Sequence, residues 1–274
     1  MTVPESVGEG ATVALPVQVY RDGQFSRRDD LLAAEEPLEL RLADSRTADG
    51  TTLSLTMRTP GHDAELVRGW LHAEGLSDAV NDIQPLPGNP NVMLIFGDAV
   101  RLRSAVRATL TSAACGVCGS GSIERLSLDV AAPIWTAAPL SPALILALPE
   151  RLRRAQPGFD STGGLHAAGL FTPDGQLLCA FEDVGRHNAV DKVVGWAAQR
   201  GQLPLSNRML VTSSRSGFEI VQKAALAGAA VVVTVGAASS LAAETALTLG
   251  LTLIGFVRGG RFNVYAAPQR LQPV

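Results

Sequence analysis

The sequence predicts an α/β fold in two parts, a mixed α+β amino-terminal part and a three-layer α/β/α carboxyl-terminal domain. Three observations predict it. From residue 208 onward, short apolar runs alternate with amphipathic stretches in the order β-α-β-α-β, which calls for a parallel layer covered by helices. Runs such as Val231-Val-Val lack polar alternation, as in strands covered on both faces. Residues 38–42 and 52–57 instead alternate apolar and polar, as half-buried strands do.

Taken in order, residues 1–30 mix Gly, Pro, Ser and charge without a period and read as a flexible arm. Residues 31–140 form the α+β part. Its strands fall at Leu38–Leu42 and Thr52–Met57. Leu66, Val67, Trp70 and Leu71 then mark a helix ending at Gly75. Residues 85–90 read as a loop, followed by strands at 92–96 and 99–103. Ala113–Ser122 is a Gly/Ser-rich loop holding Cys115 and Cys118, and 133–140 is a connector.

Residues 141–274 form the second domain. Ser141 and Pro142 supply an N-cap and first turn for a helix to about Ala155. Strands at 165–171 and 176–181 flank the turn Pro173-Asp174-Gly175. Helices at 188–199, 217–227 and 240–249 then interleave with strands at 208–212, 230–235 and 251–257.

Composition excludes several classes. The 274-residue chain is 46% hydrophobic, 18% charged and 5% aromatic, with a formal charge of −3. That is globular, poor in stacking rings, and gives no general attraction for nucleic acid or an anionic membrane. The first 25 residues lack a signal peptide's basic start and apolar stretch, and no apolar run is long enough to span a bilayer. Three cysteines, an odd number, fit a reducing compartment, so the expected location is the cytosol.

Cys115-Gly-Val-Cys118 carries the chemistry. Thiol reactions run through the thiolate, and a second thiol three positions away can lower one pKa, while Gly116 and Gly119 loosen the backbone. Cys179 lies in the apolar run Leu177-Leu-Cys-Ala-Phe181 and reads as core filling. Other readings of the pair exist. A structural zinc site lacks two further ligands at comparable spacing, and a thioredoxin-like site lacks its strand-helix context. His72-Ala-Glu74 with Cys115-x-x-Cys118 resembles the H-x-E…P-C-x-x-C pattern of zinc nucleobase deaminases, but Ala114 replaces the proline and His72 sits near a helix end.

Three loops in the second half suit an anion. Asp183-Val-Gly-Arg186-His187-Asn-Ala189 and Ser213-Ser-Arg215-Ser216-Gly217-Phe218 open helices, where free N–H groups and the helix dipole favour phosphate. Phe256-Val257-Arg258-Gly259-Gly260-Arg261-Phe262 lies just beyond a strand's carboxyl end, where open α/β sheets bind ligands. No Walker loop or G-x-G-x-x-G occurs, so ordinary NTP hydrolysis and dinucleotide redox are not expected.

Together, Cys115–Gly119, Phe181–Lys192, Ser213–Glu219 and Gly255–Tyr265, with Glu35-Glu-Pro-Leu and Arg58–Asp63, resemble the FdhD family over residues 30–270. The resemblance implies a sulfurtransferase that accepts sulfur from a cysteine desulfurase. It would pass the sulfur to the Mo-bis(molybdopterin guanine dinucleotide) of formate dehydrogenase, the bound acceptor, with no permanent metal of its own. It also implies a cytidine deaminase-like second domain and a homodimer. Cys115 then matches the persulfide-bearing cysteine and Cys118 the second thiol, which resolves, tunes or itself carries the persulfide. Phe256, Val257, Arg258, Gly259, Gly260 and Arg261 match the cofactor-binding segment. Arg215, Ser216, Gly217, Arg186 and His187 are assigned to the ligand by their local chemistry. Two alternatives stand beside this reading: a zinc-dependent nucleobase deaminase and a non-catalytic molybdenum cofactor chaperone.

Overall fold

The computed structural model describes residues 10–43, 50–103 and 130–273; Cys115 and Cys118 lie outside them. Two sheets organise the chain. The first contains β3 (Glu36–Leu42), β4 (Thr51–Arg58), β5 (Val80–Leu86) and β6 (Asn89–Gly97), in the order β4-β3-β6-β5 with β3 and β6 parallel. Leu38, Leu40 and Leu42 turn inward from β3, as their alternation predicts, and meet Leu66, Val67 and Leu71 of α1 (Asp63–Ala73). Full burial of each such side chain contributes about 1.5–3 kcal/mol.

The second sheet has the order β12-β11-β10-β9-β7-β8. Its strands are β7 (His166–Phe171), β8 (Leu177–Asp183), β9 (Met209–Thr212), β10 (Val231–Thr234), β11 (Thr252–Arg258) and β12 (Arg261–Ala266). β9, β10 and β11 are parallel, as the β-α-β-α-β order demands. Leu210, Val232 and Leu253 face a core shared with α4 (Arg186–Gln199), α5 (Phe218–Leu226) and α6 (Ser240–Thr248). Met209, Val211, Val231, Val233 and Ile254 face the opposite core under α2 (Pro142–Arg153). Ser141 caps α2, its Oγ accepting from the Leu144 N–H at 3.2 Å.

The two sheets are joined where α1 crosses α4. A Cβ on Gly69 would lie 1.9 Å from the Asp191 carbonyl oxygen, and one on Gly195 only 1.8 Å from that of Glu65. Glycine at both positions lets the two backbones nearly touch.

Three local expectations are corrected. The arm expected over residues 1–30 is, from Thr12, a hairpin of β1 (Thr12–Arg21) and β2 (Gln24–Ala33). Asp22-Gly23 closes it with both residues at positive φ, the geometry a two-residue hairpin turn requires. Residues 99–103 are helical rather than extended, because Asp98 Oδ1 accepts from the N–H groups of Val100 and Arg101 and starts a helix. The loop expected at 85–90 shrinks to a turn at Pro87-Gly88, with β5 and β6 running into it. Two elements were not foreseen: the short helix α3 (Pro157–Thr162) and the antiparallel edge strand β12.

Candidate functional site

The carboxyl ends of β8, β9, β10 and β11 share one edge of the second sheet, and the polar loops gather there. His166 joins them at the start of β7, because β7 runs antiparallel and His166 pairs with Asp183.

The Asp183–Lys192 segment divides into two roles. Its buried members form a clasp. Asp183, fully buried, pairs with Lys192 Nζ at 2.7 Å and accepts from Gly185 N at 2.8 Å, Asn188 Nδ2 at 2.9 Å and Thr59 N at 3.3 Å. Lys192 Nζ also donates to the carbonyls of Thr59 and Glu182, both at 3.1 Å. Asn188 reaches the Met57 carbonyl at 2.8 Å, and Val184 N donates to Thr59 Oγ1 at 3.1 Å. Beside them the buried Arg58 holds Asp63 through two bonds of 2.9 and 3.0 Å and donates to Asn91 Oδ1 at 2.8 Å. Two of the segments that carry the family resemblance, 58–63 and 181–192, are thus pressed against each other. This buried network fixes the loop from which Arg186 and His187 project.

Arg186 and His187 themselves are half-buried. Arg186, Arg215, Ser216 and Gly217 line a 220 Å³ pocket together with Ala237, Ala238 and Ser239, so two of the three anion loops do converge. His187 lies alongside, its Nε2 2.7 Å from a Glu219 carboxylate oxygen. That hydrogen bond, against partial burial, holds the Glu219 carboxyl below its usual range.

The third loop stands at the same edge but outside the small pocket. Residues 258–261 are not a free loop beyond a strand but the tip of the β11–β12 hairpin. Arg258 pairs with Arg261 across Gly259 and Gly260, which are at φ 59° and 74°. Phe256 also sits at positive φ (54°), at a shift in strand register, with its N–H on the Gly236 carbonyl at 2.9 Å. For a bulky side chain that is a strained backbone, costing about 1–3 kcal/mol. Arg258 lies over the Phe256 ring at 5.5 Å. Two like charges opposed on a hairpin are mutually destabilising without an anion between or beside them. Val257 and Arg258 line a larger cleft of 730 Å³, whereas Gly259, Gly260 and Arg261 line neither this cleft nor the small pocket.

The large cleft holds residues not assigned from sequence: Arg153, Gln156, Phe159, His166 and Ser213. His166 is held below its ordinary pKa by burial, then by the nearby charges of Arg186 and His187. α3 is too short to show a period, which hid this wall. Ser213 was within the quoted loop, and only the fold shows that it faces the large cleft while Arg215 faces the small one.

Cys179 is fully buried, and burial pushes its thiol up to about 12; the core-filling expectation holds. His72 is engaged at both ring nitrogens, Nδ1 with Ser77 Oγ at 3.2 Å and Nε2 with the Leu226 carbonyl at 3.0 Å. That engagement weighs against a zinc-ligand role. Among the described residues no group of three or more His, Cys, Asp or Glu is placed to hold a metal, and no helix is long and apolar enough to cross a membrane.

These features define an α/β protein with cationic loops and two cavities at the carboxyl edge of a parallel sheet. The chain belongs to the FdhD/NarQ family, whose sequence model matches residues 33–272. It is 49% identical over 256 residues to the sulfur carrier protein FdhD of Corynebacterium efficiens, covering 87% of this chain and 90% of that one. It is 42% identical to the protein of the same name from Mycobacterium bovis, covering 95% and 99%. In fold it is similar to the crystal structure of a Desulfotalea psychrophila protein described as a candidate formate dehydrogenase accessory protein. There the TM-score is 0.74 and the identity 24%, over 96% of this chain and 100% of that one.

Proposed function

We propose that the protein is a sulfur carrier that accepts persulfide sulfur on Cys115 from a cysteine desulfurase. In this reading it transfers that sulfur to the Mo-bis(molybdopterin guanine dinucleotide) of formate dehydrogenase, its acceptor substrate. The observation that carries the reading is the division among the three cysteines. Cys179 is sealed in the core as a neutral thiol, so sulfur chemistry falls to Cys115 and Cys118. The names of the relatives and of the structural neighbour support sulfur carriage and formate dehydrogenase as its destination.

In the first step the Cys115 thiolate attacks the outer sulfur of the donor persulfide. The donor S–S bond breaks, the donor cysteine leaves as thiolate, and Cys115 holds the sulfane sulfur. In delivery, the Cys118 thiolate attacks Cys115 Sγ and hydrosulfide leaves towards the acceptor as a Cys115–Cys118 disulfide forms. The sulfane sulfur gains the two electrons that the two thiols lose, and a cellular dithiol reductant restores them. This cycle suits the cytosol, where thiols are kept reduced.

The large cleft supports the acceptor side. Its volume of 730 Å³ falls within the range of small-molecule sites, with apolar walls at Leu146, Phe159 and Val257 and polar groups at Arg153, His166, Ser213 and Arg258. Such a lining suits a flat heterocycle with attached phosphates.

The test is maturation of sulfur-deficient formate dehydrogenase by purified Cys115→Ala protein with desulfurase and cysteine. Formate oxidation should stay at background while the variant unfolds at the wild-type temperature. Normal maturation by the folded variant would overturn the assignment.

A further inference from the structure

We propose that a 150 Å³ pocket between α1, the start of β5 and the end of α4 binds a short-chain monocarboxylate, its carboxylate held by Arg68 and its hydrocarbon tail by apolar walls. The pocket is remote from the cationic loops. It includes Ala198, near the far end of the helix that Arg186 begins, so roughly 18 Å of α4 lies between them.

The first observation is an unmatched cation. Arg68 stands half-buried on α1 and lines the pocket, and its buried Nε has no hydrogen-bond partner. A buried N–H without an acceptor loses the bond it makes to water, so such groups are rarely left unmatched. The nearby acceptors are taken. Asp78, beside Ser77, receives two bonds from Arg101, at 2.9 and 2.8 Å. At the end of α4 the Ala197 carbonyl accepts from Arg200 N at 3.1 Å and Gln202 N at 2.9 Å, and the Ala198 carbonyl accepts from Gly201 N at 3.1 Å. Glu65, three positions before Arg68 on the helix, does not line the pocket.

The second observation is the lining. Arg68 and Ser77 are the polar members, and Leu71, Val80, Ile83 and Ala198 are apolar. A guanidinium pairs with a carboxylate through two parallel bonds, while four apolar walls suit a hydrocarbon tail. A phosphate would leave those walls bare, and a dicarboxylate would bring a second charge against them. A cavity of this volume holds a molecule about the size of benzene, which sets the limit near the six non-hydrogen atoms of butyrate.

The third is that the pocket is preformed. Gly69, next to Arg68, lies at the close crossing that fixes α1 against α4. Ser77 Oγ is 3.2 Å from His72 Nδ1, and His72 Nε2 is 3.0 Å from the Leu226 carbonyl. A carbonyl only accepts, so Nε2 carries a proton, and in the neutral ring Nδ1 accepts from the Ser77 hydroxyl. The Ser77 proton is then committed, which leaves Arg68 as the donor that a carboxylate meets.

Isothermal titration of the full chain with sodium acetate, propionate, butyrate and hexanoate, and with butyramide, at fixed ionic strength tests this. Affinity should rise about fourfold with each methylene from acetate to butyrate, as burial of one CH₂ group gives, and fall at hexanoate. Butyramide, of the same shape without the charge, should bind at least tenfold more weakly than butyrate. Arg68→Gln should weaken butyrate at least tenfold with no fall in Tm, because the Nε has no protein partner to lose. Ala198→Leu, which fills the pocket and keeps the charge, should weaken butyrate as strongly. Butyrate binding unchanged by Arg68→Gln would overturn the site. Arg68-dependent binding with no preference for chain length would also overturn it, since that is ion pairing at the surface. No heat of binding from any carboxylate at tens of millimolar overturns it outright.

Discussion

Replacing Lys192 with methionine removes the centre of the clasp between residues 57–63 and 182–192. In the folded protein Asp183 and Lys192 are 0% and 1% exposed at their side chains and 2.7 Å apart. Methionine fills much of the lysine stem's volume but leaves the carboxylate with only Gly185 N, Asn188 Nδ2 and Thr59 N. The carbonyls of Thr59 and Glu182 also lose a donor. Removing one partner of a buried ion pair costs about 3–5 kcal/mol. For a chain of this size each kcal/mol lowers Tm by roughly 2–4 °C, so a fall of about 6–20 °C follows. Thermal unfolding followed by circular dichroism measures it. Asp183→Asn in the same background should restore part of the loss, since the orphaned charge is then gone; a double-mutant cycle reports that coupling. A loss under about 1 kcal/mol, or two additive single losses, would refute the clasp.

Further outcomes follow from the same packing and burial. Gly195→Ala should destabilise by about 1–3 kcal/mol in urea unfolding through overpacking against α1, although alanine is the better helix former; a neutral result would contradict the close crossing. Iodoacetamide on the native protein at neutral pH should leave Cys179 unmodified, because a thiol near pKa 12 is about one part in 100,000 thiolate there, and the residue is buried. Denaturation should expose it to labelling in the same mass-spectrometric assay. His166, held below its ordinary 6.5, binds fewer protons folded than unfolded. Its contribution therefore favours the fold above its unfolded pKa, and that advantage fades as pH falls from 6.5 toward the folded pKa. His166→Gln should make unfolding free energy less dependent on pH across that window, and an unchanged slope would contradict it.

Much of the second sheet was legible because its residues answer to local rules. Val231–Val233 is apolar without alternation, and both of its faces are in fact covered. The hairpin at residues 12–33 was missed for a physical reason: Arg27-Arg28-Asp29-Asp30 gives β2 no apolar face, and most of both strands is exposed. The local signals it did carry were the Asp22-Gly23 turn and the alternation of Val13, Leu15, Val17 and Val19 along β1. At 99–103 Val100 and Leu102 mimic strand alternation, yet Val100 is 82% exposed and Leu102 fully buried; the Asp98 cap decides. The site was half legible. Arg186, Arg215, Ser216 and Gly217 do meet, as their helix-start positions suggested. The clasp was not, because Thr59 lies 124 residues from Asp183 and 133 from Lys192. Nor was the separation of Arg258 from the small pocket, since it depends on where a Gly-Gly turn sends the strand.

The central claim is that sulfur travels on Cys115. Peptide mass spectrometry of the intact protein, after incubation with a cysteine desulfurase and cysteine and with thiols trapped under non-reducing conditions, reads it directly. The account predicts one added sulfur atom on the peptide holding Cys115 and Cys118, lost with Cys115→Ala, and an unmodified Cys179. No added sulfur on that peptide, or added sulfur that persists there in Cys115→Ala, would contradict it.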